Sequence, residues 1–150
     1  MLRGRIAVAA IAPCAVALVA CGGGGHRLSM EEYARRADAV CASYKQQVAK
    51  LGKPGSSLQR LAEFADRNLP ILDRALARLK KLQPPKDEEA LATRWRSSLD
   101  TLRGDAVKFR DRARANDLGG VAALLAPARS DNDVAHRLAA QLGMHVCTTT

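Results

Sequence analysis

The fold class is decided by residues 29–52, which read SMEEYARRADAVCASYKQQVAKLG. Ser29 and Glu32 have the spacing of a capping box, which predicts that a helix begins there. Apolar residues then recur at intervals of three and four, as on one face of a helix: Tyr33, Ala37, Val40, Cys41, Tyr44, Val48 and Leu51. Gly52, followed two residues later by Pro54, predicts where this helix ends.

The two following segments carry similar signals. Ser56 or Ser57 is predicted to begin a second helix, whose leucine stripe continues almost to the double proline at 84–85. Pro70 lies in its middle, removes one backbone hydrogen bond and should kink or split this helix. A third helix is predicted to follow the double proline and to be closed by Asn116.

The C-terminal part is less regular. A short helix is predicted over 117–125, and Pro127 should then break or bend the chain. Another helix is predicted to begin at Ser130, with Asp133 as its capping partner, and to end at Gly143. The C-terminal helix is therefore expected to be shorter than the first three.

Composition supports a helical domain. The 150 residues include one Trp, two Tyr and two Phe, and alanine, leucine and arginine dominate after the first 20 residues. These three are strong helix formers, and the length indicates one domain. We therefore predict an all-α fold: an up-down antiparallel bundle of three long helices plus a shorter C-terminal helix, joined by one disulfide and occupying residues 29–150.

The first 21 residues read MLRGRIAVAAIAPCAVALVAC. Two arginines precede an uncharged apolar run that is too short to span a membrane, which is typical of a secretory signal peptide. Residues 18–21, Leu-Val-Ala-Cys, resemble the bacterial lipobox. The resemblance implies a signal peptide at 1–20 and a diacylglyceryl group on Cys21, whose two acyl chains would anchor the protein stably. An ordinary cleaved leader with an incidental cysteine is the alternative.

Residues 21–28 are then predicted to be a lipidated cysteine and a glycine-rich tether. The whole layout is similar to that of small Ala/Arg-rich lipoproteins of high-GC bacteria. This resemblance implies no catalytic residue.

The cysteines predict one cross-link. Cys14 lies in the leader and Cys21 is the predicted lipid attachment, which leaves Cys41 and Cys147. In an oxidising compartment these two are expected to form a disulfide between the first helix and the C-terminal end. Two free thiols or a metal site are the alternatives. A metal site would need closely spaced ligands, and the nearest candidate is His145, two residues before Cys147.

The formal net charge of +9 favours anionic partners such as lipid headgroups or wall polymers. We expect no nucleic-acid partner outside the cytoplasm. One face of the second helix is a predicted contact to an anionic surface, through Arg67, Arg74, Arg78 and Lys81. A similar row on the third helix consists of Arg96, Arg103, Arg110 and Arg114. The alternative for both rows is a solvated face interleaved with acids.

No motif indicates an enzyme, a metal site or a cofactor. The densest group of polar residues, Asp131 to Asp133 with His136, lacks the glycine and glutamate of a calcium loop and is predicted to be a capped helix start. GxSxG, phosphate-binding and dinucleotide motifs do not occur in the sequence. The aromatic residues are predicted to fill the core, with a ligand pocket between the helices as the alternative.

We therefore expect a non-enzymatic lipoprotein on the extracytoplasmic face of the cell membrane, with a binding or accessory structural role. Its partner would be an envelope protein or an anionic wall or lipid surface. The alternative is a carrier of a small or apolar ligand between the helices. A large internal cavity would favour the carrier, and a tightly packed interior with a broad exposed patch would favour the binding module.

Overall fold

The computed structural model describes residues 27–149, in which four α-helices are present and no strand occurs. The helices are α1 (Met30–Ala49), α2 (Leu58–Lys80), α3 (Glu89–Arg114) and α4 (Leu118–Gln141), with a 3-10 turn at Lys86–Glu88 before α3. The predicted all-α fold is confirmed. The predicted signal peptide and the predicted lipid attachment at Cys21 lie outside the described residues.

Side-chain caps fix the start of three helices. The Ser29 and Ser57 hydroxyls accept from backbone N–H groups three residues on, and the Asp117 carboxylate does the same at α4. Ser57, and not Ser56, therefore begins α2. Gly52 and Asn116, which follow α1 and α3, have positive φ angles of 78° and 55°, a conformation that suits glycine and asparagine.

Two prolines lie inside unbroken helices. α2 continues through Pro70, and α4 continues through Pro127 for 24 residues in total. The predicted break at Pro127 and the predicted helix start at Ser130 were wrong, and the C-terminal helix is longer than α1, which has 20 residues. Both prolines are exposed, so water can bond the backbone carbonyls that they leave unpaired.

Burial explains why α4 continues past its proline. Buried residues occur on both sides of Pro127, with Val121 before it and Ala135 and Leu138 after it. Packing of these side chains against α3 and its neighbours stabilises the helix more than one missing hydrogen bond destabilises it.

The helices enclose two separate core clusters. α1 packs against α2, α2 against α3, and α3 against α4. The first core cluster draws on all four helices and the C-terminal segment, and its largest buried members are Tyr33, Leu79, Trp95, Leu142 and Met144. The second core cluster is centred on Ala62, Ala113 and Val121 and includes no α1 residue within the described range. Within the described residues, α2, α3 and α4 therefore form the second core cluster without α1.

The predicted disulfide is present. Cys41 and Cys147 are bonded, with their Cα atoms 5.4 Å apart and 106 residues apart in sequence. In the chain-entropy account, closing a loop of about 100 residues stabilises the folded state by about 4.7 kcal/mol. None of the helices within residues 27–149 is both long and apolar enough to cross a membrane.

Candidate ligand-binding cavity

A cavity of about 600 Å³ lies between the four helices and the C-terminal segment. Its walls are mostly aliphatic: Val40, Val48 and Ala49 from α1, Leu72, Ala75, Leu76 and Leu79 from α2, and Leu99, Leu102 and Ala106 from α3. Pockets that bind small molecules are usually about 300–1,000 Å³ and mainly apolar. The cavity has the size and the lining of such a pocket.

The cavity arises because small side chains lie on the inward-facing apolar sides of α2 and α3. Ala75 lies beside Leu72 and Leu76 in the apolar stripe of α2, and Ala106 lies between Leu102 and Phe109 in that of α3. Each alanine leaves room that a larger side chain would fill. The surrounding Leu72, Leu99 and Leu102 are only partly buried although they face the interior of the helix group. An apolar surface that its own side chains do not cover is available to a ligand.

Two aromatic side chains belong to the cavity wall. Trp95 is 1% exposed and lines the cavity while also packing in the first core cluster. Tyr44 lines it too, and its hydroxyl donates a 3.2 Å hydrogen bond to Asn68 Oδ1. Burial raises the pKa of Tyr44, and the bond to Asn68 opposes this in part. Tyr33 and Phe109 instead pack in the first and second core clusters.

The polar lining is concentrated on two helices. Lys45 of α1 and Asn132 and His136 of α4 line the cavity, and none of its lining residues is a carboxylate. Asn132 and His136 were predicted to belong to a helix start, but they lie one turn apart inside α4, and this prediction was wrong. No group of three or more His, Cys, Asp or Glu side chains suited to a metal ion occurs in residues 27–149.

The C-terminal segment is held across the cavity by polar contacts on both sides of the disulfide. The Asp38 carboxylate accepts from the backbone N–H groups of His145, Val146 and Cys147 at 2.8–3.0 Å. The Lys45 ammonium donates to the carbonyls of Val146 and Thr149. Because Cys147 and Thr149 line the cavity, these contacts close one of its sides.

Sequence reasoning missed Asp38 and Lys45. They lie three residues before and four residues after Cys41, so all three side chains share one face of α1. A polar residue one turn away on each side of a disulfide cysteine was the signal that could have identified them.

The two basic rows differ in their partners. On α3, Arg103 pairs with Asp73, and Arg110 and Arg114 pair with Asp66, so most of this row links α3 to α2. On α2, all members of the predicted row are exposed and have no carboxylate within 4.0 Å among the described residues: Arg67, Arg74, Arg78 and Lys81.

The four basic residues of the α2 row do not lie together in one groove. Arg78 and Lys81 line a groove with Arg35 and Arg36 of α1. Arg67 lies eleven residues before Arg78, about three helical turns away. Of the predicted row, only Arg78 and Lys81 share a groove with other basic residues, and the anionic contact itself stays a prediction.

Comparison of the chain with protein-family models, with curated proteins and with solved structures found no match. A helical fold is compatible with many functions, so function has to be argued from the cavity and the surface of this chain.

Proposed function

We propose that this protein is a non-enzymatic, membrane-tethered carrier that binds an apolar ligand in the cavity between its helices. The observation that carries this proposal is the cavity of about 600 Å³ with aliphatic walls. Each methylene that a ligand buries there contributes about 0.8 kcal/mol, so a long alkyl chain or a ring system gains the most. Binding by burial requires no reacting group.

The polar part of the lining suggests which end groups fit. Lys45 carries a positive charge, and Asn132 and His136 can each donate a hydrogen bond. Since the lining has no carboxylate, a ligand with a neutral or anionic polar end is favoured over a cation. The proposed ligand class is an apolar chain or ring system with one such end.

The proposal includes an up-down antiparallel arrangement of the four helices. It is supported by short connections, since three residues separate α3 from α4 and eight each separate α1 from α2 and α2 from α3. It is also supported by the packing of each helix against the next one in sequence. In such an arrangement the cavity lies in the middle of the bundle.

The proposal also includes an extracytoplasmic location with lipid on Cys21. The lipobox-like end of the leader supports it, and so does the Cys41–Cys147 disulfide, which persists in an oxidising compartment. Labelling cells with a fatty-acid analogue tests the anchor. Cys21→Ala should abolish labelling and Cys14→Ala should not, while label that persists in Cys21→Ala would contradict the anchor.

Ligand binding can be tested by thermal unfolding with two carboxylates of different chain length. A ligand that binds only the folded state stabilises it by about 2.7 kcal/mol at a hundred times its Kd. Decanoate should raise the Tm and butyrate should not, because both have the same head group and only decanoate has a tail to bury. Equal effects of decanoate and butyrate would contradict the proposal.

A further inference from the structure

A basic groove lies between α1 and α2, on the surface near the start of α1. It is lined by Arg35 and Arg36 of α1 and by Arg78 and Lys81 at the end of α2, around Ala39, Val40 and Leu82. Its volume is about 330 Å³, and none of its lining residues is acidic. We refer to this feature as the basic groove.

One carboxylate adjoins the basic groove and neutralises only part of its charge. Glu32 accepts hydrogen bonds from Arg35 and Arg36, each at 2.6 Å, which lowers the pKa of Glu32. In the described part of the chain, Arg78 makes one side-chain hydrogen bond, which it donates to Ser43 Oγ at 3.5 Å. Four cations beside one carboxylate leave the groove strongly positive.

The helix dipole accounts for part of this arrangement. Arg78 and Lys81 lie at the C-terminal end of α2, where the dipole favours cations. Arg35 and Arg36 lie in the second turn of α1, near its positive end, where the dipole gives no such stabilisation. The i,i+3 and i,i+4 pairs with Glu32 stabilise them there instead. An anion is favoured because Arg78 and Lys81 line the same groove and have no carboxylate within 4.0 Å among the described residues.

The chain enters the fold beside the basic groove. The Leu28 N–H donates to the Gln83 carbonyl at 2.9 Å, and Arg27 pairs with Glu89 at 2.8 Å. Gln83 is two residues from Lys81. Only five residues lie between Cys21 and Arg27, and six residue steps span at most about 21 Å.

We propose that the basic groove docks the protein on the bilayer by binding the phosphate groups of anionic phospholipids. This inference rests on the proposed lipid anchor at Cys21, which would hold the groove near the headgroups. Val40 lines both the basic groove and the cavity, so docking would place one side of the cavity at the membrane surface.

The test uses the reactivity of two lysine amines. The full chain with its native anchor is bound to vesicles of phosphatidylcholine, alone or mixed with phosphatidylglycerol, and its lysines are acetylated and quantified by mass spectrometry. Lys81 should react about fivefold more slowly with phosphatidylglycerol present, the change expected for one basic residue at an anionic surface. Lys53 should be unaffected, since it lies in the connection before the start of α2. The 23 residues of α2 place it about 35 Å from Lys81, beyond the Debye length.

Two variants sharpen the result. Arg78→Gln should reduce the protection of Lys81, and Arg67→Gln, an equal charge change outside the groove, should leave it unchanged. Equal slowing of Lys81 and Lys53 would overturn the proposal. Free glycerol phosphate can be added to the protein bound to vesicles of phosphatidylcholine alone. Full protection of Lys81 under these conditions would also overturn the proposal.

Flotation with vesicles shows separately whether the lipid anchor is present. A protein without a lipid anchor would not float with vesicles of phosphatidylcholine alone. In that case the groove is judged from phosphatidylglycerol vesicles, where retention with protected Lys81 supports docking and loss of retention overturns it.

Discussion

Asp38 shows at the residue scale how one side chain can position a chain terminus. Its two carboxylate oxygens accept from three consecutive backbone N–H groups, those of His145, Val146 and Cys147. These donors follow the end of α4 and have no helical partner, so the carboxylate satisfies groups that would otherwise need water. The position of Cys147 beside Cys41 thus depends on polar contacts as well as on the disulfide.

Replacing Asp38 should loosen the C-terminal segment. We expect Asp38→Ala to lower the free energy of unfolding by about 1.5–3 kcal/mol in urea titrations with the disulfide intact, because hydrogen bonds to a charged group are lost. The amides of residues 145–147 should also exchange faster with solvent. Asp133→Ala, at an exposed α4 position, is the control and should change stability by less than about 0.5 kcal/mol. Unchanged exchange in Asp38→Ala would contradict this role.

Replacement of tyrosine by phenylalanine should have opposite effects on stability at Tyr33 and at Tyr44. The Tyr33 side chain is fully buried, its hydroxyl has no partner among the described residues, and burial raises the pKa of Tyr33. Tyr33→Phe should therefore raise the free energy of unfolding by about 1 kcal/mol, whereas Tyr44→Phe should lower it by about 1 kcal/mol by removing the bond to Asn68. Denaturant titration measures both, and a loss of stability in Tyr33→Phe would refute this account of the hydroxyl.

At the element scale, local signals predicted the helices well up to the start of α4. Ser29, Ser57 and Asn116 act within one turn of the chain, so their effect can be read from the sequence. Pro127 could not be interpreted in this way. Whether a proline ends a helix depends on which side of it faces solvent and on burial further along, and both are properties of the folded chain.

An ion pair between helices and a helix-capping carboxylate predict that acid destabilises the fold. Arg103 lowers the pKa of Asp73 below its ordinary 3.8, and the Gly120 N–H, followed by Arg112, does the same for Asp117. A carboxylate with a lowered pKa stabilises the fold above its ordinary pKa and loses this contribution as pH falls through the lower, folded-state value. The Tm should therefore decrease as the pH is lowered below about 4.

Single substitutions identify the groups responsible. Asp73→Asn should make the acid decline of the Tm shallower, and Asp87→Asn, which changes an exposed carboxylate at the 3-10 turn, should leave the decline unchanged. Thermal unfolding followed by circular dichroism across this pH range measures the effect. An identical acid decline in Asp73→Asn and the wild type would exclude the Arg103 pair as a cause.

At the scale of the whole molecule, the sequence predicted the all-α fold and the disulfide, but it offered a pocket between the helices only as the alternative to a core filled by aromatic residues. Apolar periodicity shows which face of each helix points inward, and the cysteine count left a single pair to join. A cavity depends on the register between helices, which places Ala75 and Ala106 around the same space. Register is set by packing across helices and is not visible in the pattern of any one of them.

The central claim is that the cavity between the helices binds an apolar ligand, and Trp95 tests it most directly. Trp95 is the only tryptophan, lines the cavity and is nearly inaccessible from outside. A brominated fatty acid, which quenches tryptophan on contact, should therefore quench it saturably only by entering the cavity. Ala106→Leu, which fills part of the space, should weaken this quenching and raise the Tm, whereas Ala77→Leu on the exposed face of α2 should change neither. Absence of saturable quenching in the wild type, or equal quenching in both variants, would contradict the claim.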